Sequence, residues 1–249
     1  MGDSTLTTPA EPQPRKSLTE RFFGVFFSPG DTFADIARKP DFLLPLILLI
    51  VTSVAVTETM LAKIGMERII RASIEQSGRG SNLSPEQLDR AVQRGAQIGS
   101  IIAHISAFLG APILVLIIAG LGLMIVNSLY GSQASFKAVF SVTCYGSLVR
   151  VLGAIMALPM IFFGDPEHFN AQNPIPSNIG FFLDAHDVSK PLLSLATSLD
   201  FLTIWSLILL GIGLSEVTGR KVKALTIFLT YFGLWMIWVL GRAGLASLG

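Results

Sequence analysis

The stretch from Phe136 to Phe163 most constrains the fold, because it is long and apolar and carries Arg150 at its middle. A helix rises about 1.5 Å per residue, so roughly 20 apolar residues cross a hydrocarbon core of about 30 Å, and Arg150 is expected near the midplane. An unpaired charge at that depth costs about 2.5 kcal/mol or more. We therefore expect other helices to enclose this one and to supply a partner for Arg150.

The composition of the chain is typical of an integral membrane protein. Of the 249 residues, 51% are apolar and 14% are charged, against about 25% charged residues in soluble domains. The 18 basic residues nearly balance the 17 acidic ones, so the basic field that nucleic-acid binding requires is missing and we expect no nucleic-acid partner. The single cysteine, Cys144, lies in the central stretch and is expected to be a small buried apolar residue.

Five apolar segments predict an all-α, polytopic membrane helix bundle with five transmembrane helices. They are residues 42–61, 98–126, 136–163, 192–215 and 224–245. The first segment has no small-residue cleavage site after it, so we interpret it as a permanent span and not as a signal peptide. Residues 1–16 are polar and contain three prolines, which predicts a disordered tail before a membrane domain at 17–249. Ser84 and Gln87 have capping-box spacing, so a helix is expected to lead into the second span.

The segment before the first span predicts two short helices within residues 17–39. Ser17 and Glu20 have the spacing of a capping box, and Ser28 followed by Pro29 indicates a second helix start. Apolar residues recur at helical spacing among basic ones, so we expect an amphipathic, interfacial region beside anionic lipid. The expected lipid contacts are Arg21, Phe22, Phe23, Phe26, Phe27, Arg38 and Lys39. The alternative is that this segment folds against the end of the bundle.

The distribution of Lys and Arg predicts a cytoplasmic N-terminus. The N-terminal segment holds five of them and the link at 216–223 holds three, whereas the loop at 164–190 holds only Lys190. The connection at 63–94 holds six and disagrees, although four acidic residues offset them.

Three segments resemble the Yip domain family, the Ypt-interacting membrane proteins, and particularly its bacterial branch. They are FFSPGDTFADIARKPDFLLPLILL at 26–49, YGSQASFKAVFSVTCYGS at 130–147 and LDFLTIWSLILLGIGLSEVTGRKVKAL at 199–225, in the family's order. The resemblance implies a five-span bundle in the bacterial inner membrane with a cytoplasmic N-terminus. Eukaryotic members are implicated in vesicle traffic through small GTPases and tend to carry an Asp-Leu-Tyr-Gly-Pro motif before the first span. Nothing there matches that motif in this chain, so GTPase binding is not carried over.

The residue types needed for catalysis are scarce, so we expect no enzyme and no cofactor. One candidate metal site consists of His168 and His186 with Asp165 or Asp187. The spacing of these residues follows no known ligand pattern, and a solvated loop explains them. Gly211 and Gly213 lie inside a span, where they indicate close helix packing and not a phosphate-binding loop.

Four polar residues inside the spans form a candidate intramembrane cluster, Glu58, His104, Arg150 and Asp200. A serpentine of five spans places the first, second and fourth of these in one half of the bilayer, and Arg150 can reach that half with its long side chain. Asp200 lies about 6 Å from the midplane and is the expected partner of Arg150, with Glu58 second at about 9 Å. The group is interpreted either as a structural ion pair or as a transport or lipid-headgroup site.

Two functions follow from these observations. The first is a non-enzymatic membrane protein that organises the bilayer or recruits partner proteins, with the lipid bilayer and other membrane proteins or a second copy as partners. The alternative is a small-molecule or lipid transporter that uses the polar site around Arg150. A polar cavity containing Arg150 favours the transporter, and a fully packed bundle favours the organising protein.

Overall fold

The structure is a computed structural model that describes residues 15–76, 79–165, 170, 173–184 and 187–247. The tail predicted at 1–16 lies, apart from its last two residues, outside this part of the chain, as do His168 and His186. The described residues contain ten α-helices and no strand beyond an isolated bridge between Asn178 and Asp200. The helices are α1 Leu18–Phe27, α2 Pro29–Arg38, α3 Leu43–Lys63, α4 Met66–Gln76, α5 Pro85–Met124, α6 Phe136–Gly146, α7 Val149–Phe163, α8 Lys190–Ser198, α9 Phe201–Val217 and α10 Ala224–Ala246.

The prediction of a polytopic helix bundle is confirmed. Four helical segments are long and apolar enough to cross a membrane, namely Leu43–Lys63, Pro85–Leu129, Phe136–Phe163 and Ala224–Ala246. A fifth apolar helix, α9, is shorter. These five segments correspond to the five predicted spans.

The second span is the end of a much longer helix. Pro85–Leu129 has 45 residues, which is about 68 Å and more than twice a hydrocarbon core. The start predicted at Ser84 is confirmed, because its Oγ accepts from the Gln87 N–H at 3.3 Å and the Gln87 side chain accepts from the Ser84 N–H at 2.9 Å. The polar first part of α5 packs on α4, where a Cβ on Gly95 would lie 2.8 Å from Ile70.

The third span is two helices and not one. Every residue from Ala138 to Gly146 in α6 is buried, so the first half of the central stretch is indeed what the other helices pack around. The helix is interrupted at Ser147 and Leu148, and the Arg150 N–H then donates to the Ser147 carbonyl at 3.0 Å. Arg150 consequently stands in the first turn of α7.

The fourth span is also interrupted, between α8 and α9. Asp200 caps α9, where its side chain accepts from the N–H groups of Leu202 and Thr203. The Phe201 N–H donates to the Ser177 carbonyl at 2.9 Å, so the preceding loop replaces the helical hydrogen bond that the interruption removes.

The N-terminal hairpin, defined as α1 and α2, packs along α6 and α9. Val25, Phe33 and Ile36 are fully buried against this pair. Close approach depends on Gly213, where a Cβ would lie 2.3 Å from Val142 Cγ1 and 2.9 Å from Phe33 Cδ1. The prediction that Gly211 and Gly213 are packing positions is confirmed, because a Cβ on Gly211 would lie 2.9 Å from the Ala224 carbonyl oxygen.

Candidate functional site

Arg21 joins the two arms of the N-terminal hairpin to the first span. Its Nε donates to Asp35 Oδ2 at 2.8 Å, and its Nη1 donates to the Lys39 carbonyl at 3.1 Å and to the Asp41 carboxylate. Asp41 in turn accepts from the Tyr145 hydroxyl of α6 at 2.9 Å. A buried guanidinium is tolerated when its donors are bonded and its charge is paired, and both conditions are met here.

The lipid contact expected of Arg21 is wrong, because its side chain is 0% exposed. Its guanidinium instead pairs with Asp35 on α2 and with Asp41 in the link between α2 and α3. The other expected contacts divide by exposure: Phe23 and Phe27 are exposed, Phe22 and Phe26 are half-buried, and Arg38 and Lys39 are exposed. For these six residues contact with lipid stays a prediction.

The N-terminal hairpin lies along the flank of the bundle. The Phe26 ring is 5.8 Å from the Trp205 ring near the start of α9, whereas Phe33 meets Gly213 near the end of α9. These two positions of α9 are separated by about 12 Å of helix. The hairpin therefore packs on the side of the bundle, beside an apolar helix. The predicted alternative was that it packs on the end of the bundle.

A capping box begins α1 at the open end of the hairpin. Glu20 accepts from the Ser17 N–H at 2.6 Å, and the Ser17 side chain accepts from the Glu20 N–H at 3.2 Å. The hydrogen bond from the Ser17 backbone lowers the pKa of Glu20. The box is thus present at neutral pH and is lost only as the pH falls through that lowered pKa.

Glu58 and His104 form a contact at the α3–α5 interface. His104 Nε2 lies 3.2 Å from Glu58 Oε1, and both side chains are about half exposed, at 50% and 51%. His104 Nδ1 is 2.6 Å from the Ser100 carbonyl oxygen, which requires a proton on Nδ1.

Arg150 and Asp200 line one cavity of about 990 Å³ inside the bundle. Asp200 is the acidic residue among the described lining residues, but it forms no ion pair or hydrogen bond with Arg150 in the described structure. The Asp200 carboxylate is occupied by the α9 N-terminus and by the Thr203 hydroxyl at 2.6 Å. The pairing of Arg150 with Asp200 stays a prediction, and Glu58 is engaged with His104 instead.

The cavity is built by five helices, α3, α5, α7, α9 and α10, with residues from the end of α6 and from the loop before α8. Arg150 is exposed because it faces this open space and not packed side chains. Most of the wall is apolar, and hydroxyl groups are distributed over it. The hydroxyl-bearing lining residues are Thr52, Ser53, Thr57, Ser106, Thr143, Ser147, Thr203, Ser206 and Tyr231.

No group of three or more His, Cys, Asp or Glu side chains that fits a metal ion occurs in the described part of the chain. The imagined site with His168 and His186 lies outside it.

The Yip1 domain matches residues 23–243 of this chain. The chain belongs to the Yip1 domain family. The family resemblance found in the three segments is thereby confirmed, since all three lie within the matched range. Together with the apolar helices, it identifies a multi-pass membrane protein.

The chain is also similar in sequence to two other proteins. Membrane protein YknW of Bacillus subtilis is 26% identical over 205 residues, which cover 81% of this chain and 80% of YknW. Uncharacterized protein MJ0794 of Methanocaldococcus jannaschii is 36% identical over 63 residues, which cover 25% of this chain and 44% of that protein. No solved structure matches the chain.

Sequence patterns missed the partners of Arg21, although one signal was present. Arg21 and Asp35 are each seven residues from Ser28, so a hairpin that turns at Ser28 places them opposite one another. The bond from Tyr145 to Asp41 joins residues 104 apart, and no local pattern indicates it.

Proposed function

We propose that this Yip1-family protein is non-enzymatic and organises the bilayer by holding its N-terminal hairpin in one leaflet. The observation that carries the proposal is the position of the hairpin along α9, with Phe23 and Phe27 exposed beside that apolar helix. A hairpin on the flank of a span shares the depth of that span.

The dimensions of the hairpin fit a single leaflet. Its contacts extend over about 12 Å of α9, and half of a hydrocarbon core is about 15 Å. Arg38 and Lys39 stand at the open end, where the chain enters the first span and where headgroups are expected. Phe23 and Phe27 belong to the other arm and reach toward the closed end. Apolar area in the acyl region combined with cations at the headgroups is the arrangement by which amphipathic segments sense lipid composition and curvature.

Adding protein volume to one leaflet expands that leaflet relative to the other, so the protein is expected to prefer strongly curved membranes. With the N-terminus in the cytoplasm, the expanded leaflet is the cytoplasmic one. The same exposed surface also suits a partner helix or a second copy, and both would compete with lipid for it.

The test reconstitutes the full chain into mixed small and large vesicles that contain anionic lipid, and it measures how the protein distributes between them. The double change F23S with F27S should abolish the preference for small vesicles. F162S with F163S is a matched control, since those two rings are 53% and 83% exposed, against 55% and 82% for Phe23 and Phe27. Equal loss in both double variants, or no preference in the unmodified chain, would contradict the proposal.

A second candidate function, movement of a lipid or small molecule, is favoured by one observation, the cavity that contains Arg150.

A further inference from the structure

The guanidinium of Arg150 points to a bound phospholipid: we propose that the cavity takes a phospholipid whose phosphate group pairs with Arg150. Arg150 forms no hydrogen bond or ion pair with any described residue, yet it lines a cavity within an apolar bundle. An arginine has five N–H donors and a permanent charge, and in a low-dielectric site such a group requires an anionic partner. The proposal rests on this site alone and not on the N-terminal hairpin.

Asp200 is a poor substitute for that partner. Its oxygens already accept from two backbone N–H groups at 3.3 and 3.1 Å and from the Thr203 hydroxyl at 2.6 Å. These bonds fix the carboxylate at the start of α9. Turning it toward Arg150 would break the hydrogen bonds that cap the start of that helix.

The chemistry around Arg150 suits phosphate oxygens. Guanidinium groups bind phosphate through parallel, charge-assisted hydrogen bonds. Ser53 and Thr57 line the same cavity, and their hydroxyls make no hydrogen bond within the described residues. They are available as further donors to a headgroup.

The walls and the opening favour a lipid over a soluble anion. Helices α5 and α10 are joined near Ile118, where the Tyr231 hydroxyl donates to the Ile118 carbonyl at 3.1 Å. From that contact toward Ser106 on α5 and Trp238 on α10, both helices line the cavity. Its rim includes the exposed residues Ser106, Leu234 and Trp238. The opening therefore lies between two spans and faces the acyl region. Its volume of about 990 Å³ is at the upper end of ligand pockets, which are roughly 300 to 1,000 Å³.

The experiment uses two tryptophans of the cavity wall, Trp235 and Trp238, as reporters. The full chain in mild detergent is titrated with phosphatidylglycerol that carries brominated acyl chains, and quenching of tryptophan fluorescence is measured. Arg150→Gln should weaken the apparent affinity about tenfold or more, since it removes a charged hydrogen-bond donor. Arg150→Lys should restore part of it. Arg68→Gln changes an exposed arginine of α4 and should leave the titration unchanged.

Two further titrations separate the headgroup from the chains. Brominated diacylglycerol, which lacks the phosphate, should bind the unmodified chain and Arg150→Gln equally weakly. Inorganic phosphate should not displace the phospholipid. If phosphate alone displaces it, the site binds a soluble anion and the proposal is wrong.

A variant that fills the cavity keeps the test decisive if Arg150→Gln does not fold. Ala154 lines the cavity and is half-buried, so Ala154→Phe should reduce quenching by the phospholipid with Arg150 still present. Unchanged quenching in a folded Arg150→Gln, or in a folded Ala154→Phe, overturns the proposal. Folded Arg150→Gln should keep its preference for small vesicles, and F23S with F27S should keep the phospholipid titration, so the two proposals fail separately.

Discussion

Arg21 is the residue on which the N-terminal hairpin depends most. Arg21→Ala leaves Asp35, which is 4% exposed at its side chain, and Asp41 without their shared partner, and breaking a buried ion pair typically costs about 3 to 5 kcal/mol. We expect a large fall in the thermal unfolding temperature in detergent. Arg21→Lys should recover only part of it, because an ammonium group cannot reproduce the planar fork of donors.

Arg68→Ala serves as the control for Arg21, since Arg68 is exposed and makes no hydrogen bond or ion pair within the described residues. A loss of stability in Arg68→Ala as large as that in Arg21→Ala would mean that the buried network contributes nothing specific.

At the residue scale, sequence patterns found charged groups more reliably than they found their partners. Arg21 was expected to contact lipid, yet it is bonded to Asp35 and Asp41. Arg150 was expected to pair with Asp200, yet it faces a cavity. Glu58 and His104 were predicted to share one half of the bilayer and do meet, at 3.2 Å. Composition shows that a charge needs a partner, but side-chain packing decides which one it gets.

At the scale of the element, close packing of the hairpin on the bundle depends on Gly213, which has no side chain. Gly213→Ala should destabilise the protein by about 1 to 3 kcal/mol, because the new methyl group overlaps Val142 and pushes Phe33 outward. Gly233→Ala in α10 has nothing within 4 Å of the new Cβ and should be neutral or slightly stabilising, as expected for a glycine inside a helix. Hydrogen exchange of α2 measures both variants, and faster exchange in Gly213→Ala alone is the expected result. The same change in Gly233→Ala would contradict this account.

The spans could be predicted as elements, whereas their interruptions could not. Apolar length gave all five segments, but the prolines that indicate breaks, Pro112 and Pro159, lie inside continuous helices. The break at Ser147 has no proline. It is supported by the Ser206 hydroxyl, which donates to the Gly146 carbonyl at 3.1 Å from 60 residues away. A contact between residues so far apart in the sequence leaves no local pattern. Neither the break nor the cavity beside it could therefore be predicted from the sequence.

The two surfaces that are proposed to contact lipid lie in different parts of the molecule. The hairpin covers α6 and α9 on one side, and the cavity opens between α5 and α10, which the hairpin does not contact extensively. Helix α9 contacts the hairpin at Trp205 and Gly213 and also lines the cavity, and the buried helix α6 packs on both α5 and α9. An effect of cavity occupancy on the hairpin would therefore pass most directly through α9.

The five predicted spans determine which exposed positions are expected on the same side of the membrane. Lys39 precedes the first span, and Lys221 lies after the fourth, in the link between α9 and α10. Four crossings place these two residues on one side of the membrane, and the fifth places Ser247, after α10, on the other. All three residues are exposed. In a Cys144→Ala background, Lys39→Cys and Lys221→Cys should react with a membrane-impermeant maleimide from the cytoplasmic side only, and Ser247→Cys from the opposite side only. If Lys39→Cys and Lys221→Cys react from opposite sides, α9 with its 17 residues does not complete a crossing, and the hairpin beside it cannot be assigned to the cytoplasmic leaflet.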